Sequence, residues 1–156
     1  MKTRMKPISL PRHAQGMSLI EVMVAVMVLA VGLLGVAAMQ ALALRGGQGS
    51  LESSQAVMSA NSIIEAMRAN RMQAASYVYN GTAACAAVPG AGTSLASSDI
   101  NNWVTQLKAT IGTGAGDTTT CGSIAVVGGL YRVTVQWDDR RAGGGQTRTV
   151  VTEAQI

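Results

Sequence analysis

The sequence predicts an α+β fold in which one long N-terminal helix, hydrophobic in its first half and amphipathic in its second, packs against a small C-terminal antiparallel sheet. Three observations predict it. Val22 to Met39 carries no charged or hydrogen-bonding side chain, about the 18 residues that a membrane-crossing helix needs at minimum. Beyond it, Val57, Ala60, Ile64 and Met67 recur at intervals of three and four, the spacing of one helix face. Near the end, Tyr131, Val133, Val135 and Trp137 alternate with Arg132, Thr134 and Gln136, the period of a half-buried strand.

Residues 1 to 16 read as a basic leader. Lys2, Arg4, Lys6 and Arg12 precede Gly16 with no acid among them. Eight basic and eight acidic residues follow, so the whole excess of +4 belongs to the leader. The remainder gives no electrostatic ground for direct nucleic-acid binding. A basic start ahead of an apolar run keeps the N-terminus cytoplasmic and exports the rest. Export favours a disulfide between Cys85 and Cys121 over two free buried thiols.

Residues 17 to 44 are expected as a transmembrane helix of about 28 residues, roughly 40 Å long. Glu21 interrupts a plain membrane reading, because an ionised acid in an apolar span costs about 2 to 4 kcal/mol unless paired. Gly32 and Gly35 are either tolerated in lipid or placed at a helix–helix contact. Two further readings of this stretch are an uncut signal anchor and an ordinary secretory signal cut near Val36-Ala37-Ala38 or Ala41-Leu42-Ala43. The length of the run and the acid within it speak against the secretory signal.

Arg45 marks the exit from the apolar region, and Gly46-Gly47-Gln48-Gly49 suggests a hinge or a frayed turn. Residues 45 to 77 continue as an amphipathic helix, with Glu52, Glu65, Arg68 and Arg71 mostly off the apolar stripe. Residues 78 to 156 form the head. It begins with a loop over 78 to 97, rich in Gly, Pro and small residues, where Asn80-Gly81-Thr82 reads as a turn. Ser98-Asp99 offers a cap for a short helix over 98 to 111 that buries Trp103. Gly112 to Gly116 reads as a flexible turn. Strands are expected near 124 to 127, 130 to 137 and 147 to 152, with Asp138 to Gln146 as a solvated, locally neutralised hairpin connection. The sheet is expected to cover the Val57, Ile64 and Met67 stripe.

Enzyme chemistry finds little footing. His13, in the leader, is the only histidine, which excludes Ser-His-Asp and Cys-His catalysis from the rest and argues against a catalytic zinc. Lys108 is the only lysine after Gly16. The glycine clusters lack the Gly-Lys-Ser/Thr ending of a phosphate loop. No cofactor and no metal site is expected, and no catalytic residue.

Gly16-Met17-Ser18-Leu19-Ile20-Glu21, behind a basic leader and ahead of an apolar helix, resembles the class III leader of type IV pilins and of the pseudopilins of type II secretion. The resemblance implies a type IV pilin fold. It also implies that a prepilin peptidase cuts after Gly16 and N-methylates Met17. Glu21 then becomes the acid that pairs with the Met17 amine of a neighbouring subunit. The family usually carries phenylalanine at the first mature position, whereas Met17 stands there in this chain. The run from Val28-Leu29-Ala30 to Met39-Gln40, the Asp99, Trp103, Leu107 pattern and Val133 to Asp138 look like PilV-type minor pilins, the type IV pilus modification proteins. That implies a low-abundance inner-membrane subunit that primes pilus assembly or sits at the tip, supporting twitching motility and surface attachment. Its partners would be the prepilin peptidase, other minor pilins, the major pilin and the inner-membrane assembly machinery. The alternatives are a minor pseudopilin of a type II secretion system and, from another class, a signal-anchored periplasmic enzyme or binding module.

Overall fold

The computed structural model describes residues 16 to 81, 85 and 88 to 156. Residues 1 to 15 of the expected leader over 1 to 16, and Thr82 of the Asn80-Gly81-Thr82 triplet, lie outside them. The order of elements is helix α1 (Leu19–Ala69), a 3-10 helix (Arg71–Tyr77), strand β1 (Tyr79–Asn80), helix α2 (Leu95–Thr110), strands β2 (Cys121–Val127) and β3 (Leu130–Asp138), a 3-10 turn (Arg140–Ala142) and strand β4 (Thr147–Ala154). This is the expected α+β layout of a long N-terminal helix and a small antiparallel sheet. The chain divides into two compact units, one ending at Gln40 and one spanning Ala41–Ile156.

Within the first unit every described residue is exposed. No polar side chain interrupts Val22 to Met39, and leucine, methionine and alanine are strong helix formers. From Leu19 to Gln40 the helix rises about 33 Å. Among the described residues, α1 is the one helix long and apolar enough to cross a membrane.

The second unit holds the core. α1 buries Glu52, Ala56, Ala60, Ile63, Ile64 and Met67, a stripe at intervals of four and three. Val57, expected on that face, is 43% exposed, and Ala56 takes its place. The expected hinge at Gly46 to Gly49 is continuous helix. Three glycines cost up to about 1 kcal/mol each in a helix interior, but extending a formed helix avoids a second costly nucleation. Gly49 also has a packing role, since a Cβ there would lie 3.2 Å from the Ala142 Cβ.

α2 starts at Leu95, earlier than the expected Ser98-Asp99 start. Its cap is Ser94, whose side chain accepts from the Ser97 N–H at 3.1 Å, relieving one of the unpaired N–H groups of a helix start. Ala96, Ile100, Trp103, Val104 and Leu107 face the core. The Trp103 indole N–H donates to the Ser59 carbonyl at 3.0 Å, tying α2 to α1. A Cβ on Gly122 of β2 would come within 2.2 Å of the Trp103 ring, so β2 passes this ring only with glycine there.

The sheet is four-stranded, ordered β1-β2-β3-β4 and antiparallel throughout. Asn80, expected in a turn, lies in β1, and Tyr79 pairs with Ile124. β2 begins at Cys121, three residues before the expected strand. β3 buries Val133, Val135 and Trp137, as its alternation predicts, while Tyr131 is half-buried. Val133 faces Ile124 on one side and Thr152 on the other. The Val133 and Ile124 side chains join Ile63, Ile64, Met67, Trp103 and Leu107 in one apolar cluster.

Candidate functional site

Gly16, Met17 and Ser18 precede the first turn of α1 and are exposed. The Ser18 carbonyl accepts from the backbone N–H groups of Glu21 at 3.0 Å and Val22 at 3.3 Å, which closes that turn. Glu21 is therefore the third helical residue. An acid there faces the positive end of the helix dipole, a favourable placement of about 0.3 to 1 kcal/mol when exposed. Ser18 and Glu21 also have the spacing of a capping box, a local signal that the leader motif overshadows. Among the described residues, the Glu21 carboxylate has no ion pair or side-chain hydrogen bond. The segment thus presents an N-terminal carboxylate followed by a helical surface that is apolar on every side. In water such a surface is unfavourable by about 25 cal/mol per Å², and lipid or the helices of other subunits would relieve it.

The head carries five arrangements that bear on how it is held together. Cys85 and Cys121 form a disulfide, which pins the connection between β1 and α2 to the start of β2. Lys108, expected simply beside Leu107 on an amphipathic helix, is fully buried. Its ammonium donates to the carbonyls of Cys85 and Asp117. Burial pushes the Lys108 ammonium below its ordinary range, and the Asp117 carboxylate opposes that shift.

Asp117 organises the turn that the glycines of 112 to 116 suggested was flexible. Its carboxylate accepts from the backbone N–H groups of Thr113 at 2.7 Å, Thr119 at 2.6 Å and Thr120 at 2.9 Å. It also accepts from the Thr119 and Thr120 hydroxyls. Burial alone raises its pKa, but these donors outweigh burial and hold the carboxyl well below the usual carboxylate range.

Glu52, expected on the solvent side of α1, is 5% exposed. It accepts from the buried Trp137 indole N–H at 3.1 Å and pairs with the Arg141 Nε at 3.1 Å. Arg141 also donates to the Gly112 carbonyl at 3.3 Å, so one guanidinium joins α1, the end of α2 and the β3–β4 connection. Asp139, expected in a solvated hairpin, is buried as well. Arg148 Nε meets its Oδ2 at 2.5 Å, and the Gln146 N–H donates to its Oδ1 at 3.0 Å. The Arg148 bond and then the Gln146 N–H lower the Asp139 pKa, against its burial. A Glu or Asp in a polar stretch gives no sign in one sequence that a distant tryptophan or arginine will enclose it. Among the described residues no cluster of three or more His, Cys, Asp or Glu is placed to hold a metal ion.

A long helix with an apolar first half, joined to a small disulfide-bonded antiparallel head, defines a protein of pilin-like layout. The family model for the prokaryotic N-terminal methylation motif matches residues 11–37. That stretch contains Gly16, Met17 and Glu21, and the match supports a type IV pilin-like protein, either a pilin or a pseudopilin. The motif implies processing by a prepilin peptidase and handling by pilin assembly machinery. Its family is structural rather than catalytic, and the motif together with the apolar helix fits membrane anchoring. No curated protein and no solved structure matches the chain.

Proposed function

We propose that this chain is a PilV-like minor pilin that helps to prime assembly of a type IV pilus, at or near the tip, and so supports twitching motility and surface attachment. The observation that carries this reading is the methylation motif over residues 11–37 set on a helix whose first half is apolar all round and bears one carboxylate, Glu21, in its first turn. In this reading residues 1 to 16 are the leader, 17 to 44 the span and later filament core, 45 to 77 the amphipathic continuation and 78 to 156 the head. The leader stays cytoplasmic, and the head is periplasmic until the subunit enters the pilus.

Cleavage after Gly16 creates an amine at Met17, which the peptidase then methylates. The amine and Glu21 are opposite charges at the same end of an apolar helix. A buried carboxylate is strongly unfavourable alone and tolerable when it is paired. Glu21 of an incoming subunit therefore pairs with the Met17 amine of the subunit already in place, and a one-turn error in register leaves both charges unmatched. The partners are the prepilin peptidase, the other minor pilins, the major pilin and the inner-membrane assembly machinery.

The test is Glu21→Val in cells that assemble pili. The expected variant loses its leader normally, accumulates in the inner membrane and is absent from sheared pili. Normal incorporation would refute the pairing role. Loss of protein secretion with intact pili, on deleting the chain, would assign it to a type II secretion system instead.

A further inference from the structure

The arginines of the head are not evenly spread. Residues 41 to 156 hold eight basic side chains, and four of them, Arg45, Arg140, Arg141 and Arg148, gather around the turn between β3 and β4 and the stretch of α1 beside it. Ala142 packs against Gly49, and the Arg45 Cδ lies 3.4 Å from where a Cβ on Gly143 would stand. Three acids share the region, but they lie beneath the arginines. The Arg140 side chain is 80% exposed over Asp138 at 17%, Arg141 46% over Glu52 at 7%, and Arg148 54% over Asp139 at 2%. Arg45 is exposed and has no ion pair among the described residues. The outward layer is therefore guanidinium, with the neutralising carboxylates buried under it. A guanidinium has five N–H donors, more than one carboxylate takes up.

The position of this layer along the chain gives it a partner. Arg45 directly follows Leu44, the last residue of the apolar stretch. A helix whose apolar part lies in hydrocarbon brings the next residue to the headgroup region, where arginine is favourable. The turn between β3 and β4 packs against Arg45 and Gly49 and so lies beside that residue. We infer that, while the subunit is anchored, Arg45, Arg140, Arg141 and Arg148 together form a docking surface for the phosphate groups of anionic phospholipids. This rests on the membrane-anchored reading of α1. The surface positions the head on the membrane before the subunit leaves for the filament. Guanidinium suits that role because its planar fork matches phosphate oxygens.

The test uses the full chain reconstituted into vesicles of phosphatidylcholine alone or of phosphatidylcholine with phosphatidylglycerol. Flotation reports anchoring, and amide hydrogen exchange over residues 139 to 147 reports docking. The expected result is flotation with both vesicles and slower exchange on those containing phosphatidylglycerol. Each arginine near an anionic surface shifts the engaged-to-free ratio by about fivefold, so Arg45→Gln with Arg140→Gln lowers it by roughly 25-fold. Both residues are exposed, so the double variant keeps the folded head, checked by unchanged exchange in β3. Salt at 1 M, where the screening length is about 3 Å, abolishes the protection, and inorganic phosphate at constant ionic strength leaves it in place. Flotation with equal exchange on the two vesicles, or protection unchanged in the double variant, overturns the docking surface while leaving anchoring intact. Release by inorganic phosphate at constant ionic strength overturns the lipid assignment. Failure to float with either vesicle overturns the anchored reading itself, and the docking surface with it.

Discussion

Replacing Glu52 by alanine tests the junction that holds the head to its helix. Trp137 is 1% exposed and its indole N–H has the Glu52 carboxylate as acceptor, 3.1 Å away. In Glu52→Ala that donor stays buried without an acceptor, which costs about 1 to 3 kcal/mol. Loss of the Arg141 pair adds less than about 1 kcal/mol, because the arginine side chain is nearly half exposed. The sum is about 2 to 3 kcal/mol, or a fall of roughly 10 °C in the unfolding midpoint for a domain of this size. Glu52→Gln keeps an oxygen for the indole and removes only the charge, so its cost is about 1 kcal/mol or less. The assay is thermal unfolding of the detergent-solubilised chain followed by tryptophan fluorescence and circular dichroism. Equal midpoints for the alanine and glutamine variants would refute the argument, since the indole bond would then contribute nothing measurable.

Reduction of the Cys85–Cys121 bridge opens a loop with a sequence separation of 36. Chain entropy places its contribution at about 4 kcal/mol, and urea unfolding with and without dithiothreitol is expected to show a difference in unfolding free energy of that order. Asp117 makes the head acid-sensitive. Its folded pKa is depressed, so its contribution is fully present above the unfolded value of about 3.9 and is lost as pH falls from there toward the folded value. Asp117→Ala leaves three backbone donors without their carboxylate and flattens that acid limb, at a cost of about 3 kcal/mol at neutral pH; an unchanged acid profile would contradict the assignment. Lys108→Met removes the donor shared by the Cys85 and Asp117 carbonyls. It is expected to increase hydrogen exchange at the start of β2 more than in β4, and equal changes in both strands would count against a local role.

The architecture was legible where burial follows a period. The alternation of Tyr131 to Trp137 is β3, and the apolar run after Glu21 is the first half of α1. Features that depend on contacts between distant residues were hidden. Glu52 looks like an ordinary surface acid until Trp137 and Arg141, far along the chain, enclose it. Gly46 to Gly49 has the composition of a hinge, but helix on both sides carries the backbone through it and the β3–β4 turn packs on Gly49. Asp117 orders a glycine-rich turn by collecting three backbone donors, which no local propensity records. Ser94, four residues before the expected cap, has the same capping chemistry as Ser98, and the helix that starts there also buries Ala96. The candidate site behaved in the opposite way. Gly16, Met17 and Glu21 are proposed from the sequence alone, within the motif matched over residues 11–37, because a leader peptidase would read a short linear motif rather than a folded pocket.

In the proposed function Gly16 is the last residue of a removed leader, and Met17 is the first residue of an assembly helix paired through Glu21. Mass analysis of the N-terminal peptide of the protein recovered from cells tests it most directly. The expected product begins at Met17, with one methyl group on its amine. A chain that keeps the leader, or one cut near Ala38 or Ala43, would contradict it.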